Sequence, residues 1–94
     1  MSLQQTFPQF LDARSFCRLW HGLDKLDEQA LQKQERVRGY RAKCVRLLAF
    51  ALNLQLDTVE RWGEGVEFER MPIKHQATLA LRWQIKTLSS SLAA

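Results

Sequence analysis

Val45-Arg-Leu-Leu-Ala-Phe-Ala-Leu-Asn-Leu-Gln-Leu-Asp-Thr-Val-Glu-Arg-Trp62 is the stretch whose reading decides the fold. Leu48, Ala49 and Leu52 fall three and four apart and form one helical stripe; Asn53 interrupts it, and Val59 and Trp62 open a second stripe three residues apart. This is the spacing of two helices joined by a tight corner, a helix-turn-helix. Such a corner needs a small residue where the helices cross, here Ala49, and a turn residue tolerant of positive φ, here Asn53. It also needs apolar anchors on both helices, here Leu48, Leu52, Leu54, Val59 and Trp62.

Outward from the corner, ninety-four residues are enough for one core and too few for two. Hydrophobic residues make up 46% of the chain, with three Trp and five Phe, which excludes a disordered polymer; four Gly and two Pro are too few for a turn-rich β domain. The expected fold class is all-α, about five helices in one compact bundle, with residues 1–39 as an N-terminal helical extension, 40–88 as the helix-turn-helix core and 89–94 as a frayed tail. Thr6-Phe-Pro-Gln9 reads as a capping box that starts a first helix near Pro8 and carries it to His21, with Gly22 as a left-handed stop. Asp24 or Asp27 caps a thin second helix that breaks or bends near Gly39; a third runs from Tyr40 to Leu52, and a last one follows Pro72 through Ile73, Ala77, Ala80, Leu81, Ile85 and Leu88, with Leu79 and Trp83 on an adjoining face.

Charge is segregated. Residues 33–46 carry Lys33, Arg36, Arg38, Arg41, Lys43 and Arg46 against Glu35 alone, whereas residues 55–70 carry Asp57, Glu60, Glu64, Glu67 and Glu69 against two arginines. A basic segment running into the corner fits a polyanion, because phosphate neutralisation releases counterions; the plainer account is a solvated helix face. Cys17 and Cys44 sit among apolar neighbours and read as buried thiols of a reducing compartment. Cys17, His21, Cys44 and His75 make a conceivable two-Cys, two-His set, but only one pair is close in sequence, so no metal and no cofactor are expected. Trp20, Trp62 and Trp83 read first as core. With no Ser in a Gly elbow, no phosphate loop and no HExxH, an enzyme is not expected; with no ~20-residue apolar run and no signal-peptide plan, neither is a membrane span, and the expected location is cytoplasmic.

Leu48-Ala49-x-x-Leu52-Asn53-Leu54-x-x-x-Thr58-Val59-x-Arg61-Trp62-Gly63-x-Gly65 resembles the Cro/phage-repressor helix-turn-helix family, and the resemblance extends over roughly residues 40–88. It implies a small sequence-specific regulator that binds double-stranded DNA, as a homodimer on half-sites, with the second helix of the corner in the major groove. Carried over by position, Gln55, Leu56, Asp57, Glu60 and Arg61 would read bases, and Arg36, Arg38, Arg41, Lys43 and Arg46 would take phosphates. The chain departs from the family in having Asn53 for the turn glycine and Gln55 for the usual Ser or Thr cap, so that Asp57 with Glu60 could cap a later start. It also places acids at 57–69, where phosphates should lie. The second account is therefore an adaptor that keeps the scaffold and binds a protein through Leu56, Val66, Phe68, Met71, Leu79 and Trp83.

Overall fold

In a computed structural model that describes residues 7–93, five helices, α1 (Ala13–Trp20), α2 (Glu28–Glu35), α3 (Tyr40–Leu52), α4 (Leu56–Glu60) and α5 (His75–Ala93), surround one core, with a single 3₁₀ turn at Leu23–Lys25. There is no strand among the described residues, and no described helix is long and apolar enough to cross a membrane. The all-α class is as the sequence implies.

The first helix starts later than the capping box suggests. Asp12, in extended backbone, accepts from the Ser15 N–H at 3.3 Å and caps α1; Thr6 lies outside the described residues. Phe7–Leu11 instead runs irregularly along α5, where the Leu11 N–H donates to the Gln76 carbonyl. Asp27, not Asp24, caps α2, accepting from the Ala30 N–H at 2.8 Å. The break expected near Gly39 is present: φ is +90° there, a left-handed conformation that costs a residue with a Cβ, and α3 begins at the next position. At the far end α5 does not fray at Ser89 but continues to Ala93.

Leu11, Ala13, Phe16 and Cys17 of the N-terminal part share one core with Cys44, Val45, Leu48 and Ala51 of α3, Val59 and Trp62 around α4, and Leu79 and Ala80 of α5. Residues before Gly39 therefore complete the core that the corner needs rather than hang from it. One buried ionic knot ties α1 to α2. Arg14 donates to Glu35 through Nε (3.0 Å) and Nη2 (2.8 Å), and Arg18 does the same at 2.8 and 2.9 Å. Burial alone raises the Glu35 pKa, but the hydrogen bonds from Arg18 and Arg14 outweigh it and hold the carboxyl down at about 2. At the other end of the bundle, Arg82 of α5 donates to the Ala51 carbonyl at 2.9 Å, satisfying an otherwise open C-terminal group of α3.

Both cysteines are free and buried, and the Cys17 thiol is pushed up by its hydrogen bond with Cys44 and by burial. His21 stacks edge-on against Tyr40, and His75 lies against Trp62. Of the conceivable metal set Cys17 and Cys44 adjoin each other, but no group of three or more His, Cys, Asp or Glu among the described residues is placed to hold a cation.

Candidate nucleic-acid interface

The corner itself is tightly determined. Asn53 adopts φ 56° and ψ 49°, its N–H reaching back to the Ala49 and Phe50 carbonyls, and the Leu54 N–H donates to Ala49 at 2.9 Å. Asn is among the few residues with a Cβ that enter this region readily, which is why it can make this turn without a glycine. Gln55, in extended backbone, precedes the first helical residue, Leu56; its side chain makes no capping bond. A later start capped by Asp57 is not what forms: Asp57 lies in the first turn of α4, where a negative charge complements the helix dipole. Val59 is the fully buried residue of α4. Gln55, Leu56, Asp57, Glu60 and Arg61 are all exposed, and Asp57 and Arg61 pair loosely across one turn at 3.7 Å. Exposed pairs of this kind contribute less than about 1 kcal/mol, so Arg61 is free to change partner.

The basic segment divides into three groups. Arg41 is not available to a phosphate. Its Nε donates to the Gly65 carbonyl at 2.9 Å, its Nη2 donates to the Glu60 carbonyl at 3.1 Å and to that of Gly63, and its guanidinium lies 5.2 Å from the Phe68 ring centroid. Arg41 fixes the loop that follows α4. Arg36 and Arg46 are exposed and line a shallow groove of about 620 Å³ whose other wall is Leu56, Glu60, Glu64 and Val66. Arg38 and Lys43 are exposed too, but they line a different depression beside Tyr40. Of the basic side chains of this segment not engaged by the loop, Arg36 and Arg46 are the two that line a groove with α4.

The loop acids are likewise sorted by the fold. Glu67 pairs with Arg14 of α1 at 3.4 Å, and the Glu69 carboxylate packs over Gly63, where an added Cβ would come within 2.6 Å of its Oε2. Glu64 alone of the three lines the groove. Phe68 is drawn into the core at φ +48°, a conformation a bulky side chain enters only when its surroundings hold it there. Of the residues assigned to a protein-binding face, Phe68, Met71 and Leu79 are buried and cannot contact a partner; Val66 and Trp83 are half-buried against the core, and Leu56 is exposed. They do not form one patch, because apolar character marks core and contact surface alike.

Sequence reading missed the Arg14–Glu35–Arg18 knot, whose available signal was the four-residue spacing of Arg14 and Arg18 on one face of α1. It also missed the structural use of Arg41, for which no local signal exists. No family model matches the chain, no curated protein matches its sequence and no solved structure matches its fold.

Proposed function

We propose that the chain is a small DNA-binding regulator that uses α3 and α4 as a helix-turn-helix, with α4 entering the major groove. The observation that carries this reading is the division of labour at α4: Val59 anchors it while Gln55, Leu56, Asp57, Glu60 and Arg61 stay in solvent, beside a groove edged by Arg36 and Arg46. Gln55 can pair bidentately with adenine and Arg61, released from Asp57, with guanine; Leu56 can meet a thymine methyl, and Asp57 or Glu60 can accept from a cytosine amino group. Arg36 and Arg46 take the flanking phosphates, with Arg38 and Lys43 as outlying contacts. The pairing of Glu67 with Arg14 and the packing of Glu69 over Gly63 keep these two acids out of the groove that Arg36 and Arg46 line, so Glu64 is the loop acid nearest a duplex there. Salt-titrated binding to a mixed-sequence duplex tests the proposal; no affinity at low salt would end it.

One observation favours the adaptor reading instead. The groove is lined by basic Arg36 and Arg46, acidic Glu60 and Glu64, and apolar Leu56 and Val66, a combination that suits a peptide of mixed charge. If duplex DNA is ignored at every salt concentration, this groove is the surface on which to place substitutions.

A further inference from the structure

Charge on helices α3 and α5 is of one sign. Residues 36–56 contain five Lys and Arg, residues 70–94 contain four, and neither stretch contains an acid. The course of the helices decides which of these cations meet. The Cys17 and Cys44 thiols adjoin and His21 stacks on Tyr40, so α1 and α3 run antiparallel. The Leu11 N–H donates to the Gln76 carbonyl and Trp20 lies under Lys86, so α1 and α5 run in parallel. Helices α3 and α5 are therefore antiparallel. Arg82 meets the Ala51 carbonyl at 2.9 Å; one turn on along α5 and one turn back along α3, Lys86 comes alongside Leu47.

On the solvent side of this seam stands Phe50, 73% exposed. At about 100° per residue, Lys43 and Phe50 fall nearly in line on α3, and the half-buried Leu47 lies between that line and Ala51. The cations around the ring are held in place. Arg82 is exposed and anchored through its Nε, while its Nη atoms meet no acceptor among the described residues. The Lys86 ammonium lies 5.0 Å from the Trp20 ring centroid and 5.7 Å from that of Trp83. Neither of them, nor Lys43, forms an ion pair among the described residues. An anion that docks here finds Arg82 and Lys86 already ordered, which removes part of the entropy cost of binding.

We infer that the seam of α3 and α5 is a docking surface for an acidic segment of a partner protein, which sets an apolar side chain against Phe50 and Leu47 and carboxylates on Arg82, Lys43 and Lys86. A guanidinium fixed at Nε with both Nη atoms open is a fork for a carboxylate. An exposed aromatic ring among cations gives such a segment its anchor, whereas a duplex backbone has nothing to place against it. A single nucleic-acid strand needs a row of bare rings for its bases, and here Lys86 already lies over Trp20 and Trp83. Phe50, Arg82 and Lys86 are not among the residues lining the groove beside α4, so this surface stands or falls separately from the proposed function.

Fluorescence anisotropy with labelled peptides of about twelve residues tests it. The probe carries a Phe and a Leu one helical turn apart among glutamates. One control has glutamine in place of the glutamates, a second has serine in place of the Phe and Leu, and an oligothymidylate of the same length is the nucleic-acid probe. The acidic apolar peptide should bind at low salt, and the other three at least about tenfold more weakly. Phe50→Gln should weaken its binding at least about tenfold at unchanged helical circular dichroism, since the ring stands outside the core, and Phe50→Tyr should retain it. Lys43→Gln should lower both the affinity and its salt dependence. Arg61→Ala, a change in the proposed DNA reader on α4, should leave peptide binding as it was. No binding of the acidic apolar peptide at low salt, equal binding of the serine control, tighter binding of the oligothymidylate, or binding untouched by Phe50→Gln would overturn the inference.

Discussion

Two sets of arginines do opposite work. Arg14, Arg18 and Arg41 point inward, the first two onto the buried Glu35 and the third onto three carbonyls of the loop after α4. Arg36, Arg38 and Arg46 make no ion pair within the chain among the described residues and stand in solvent. The difference is geometric rather than chemical. A guanidinium whose five donors meet fixed acceptors holds the fold together; one left unpaired contributes a field and a hand for an anionic partner. A count of basic residues cannot make this distinction.

The inward set is where substitution should cost most. Glu35→Gln leaves Arg14 and Arg18 crowded together without their carboxylate, and should destabilise the fold by about 3 kcal/mol, the lower end for a broken buried pair because both arginines retain some contact with water. Urea unfolding measures it. Arg41→Ala should cost about 1–2 kcal/mol by removing three loop carbonyl contacts and the stacking on Phe68. It should also raise amide exchange selectively in residues 61–70. A lowered DNA affinity in this variant would report a loosened loop, so Arg41 is a poor probe of phosphate binding.

Acid should separate the same two sets. Glu35 has a folded pKa of about 2, below its ordinary value of 4.5, so its contribution is complete above about pH 4.5 and is lost as pH falls from there toward 2. His21 and His75 are depressed below 6.5, His21 by burial and then the charge of Lys43, and His75 by burial and then Lys74. Their unfolded forms take up protons first, so stability should begin to fall already as pH drops through 6.5. Glu35→Gln should flatten the lower part of the profile and leave the upper part unchanged. For the outward set the expected stability effect is smallest: Arg36→Ala with Arg46→Ala should stay within about 0.5 kcal/mol of the parent.

What the sequence made legible follows from how local each determinant is. The corner could be read because Ala49, Asn53, Val59 and Trp62 act within eighteen residues, and periodicity reports such contacts directly. The start of α1 was misplaced because Thr6, Pro8 and Asp12 all carry start signals, and only the docking of Phe7–Leu11 along α5 chooses between them. On α5, Leu79 with Trp83 and Leu81 with Ile85 and Leu88 are equally apolar stripes; which one faces the core depends on α1 and α3, far away in the chain. The candidate reader was visible as a set of positions on α4. Its setting was not, because the engagement of Arg41 by the loop after α4 and of Glu67 by Arg14 is decided by contacts spanning 19 to 53 residues.

The most direct test of the DNA reading compares the parent with Arg36→Ala/Arg46→Ala on a mixed-sequence duplex of about 20 base pairs, following affinity as salt is raised. The account predicts measurable binding at low salt for the parent and a salt dependence smaller by about two counterions in the double variant, with the fold unchanged. A parent that does not bind at low salt, or a variant whose affinity and salt slope match the parent's, would contradict it.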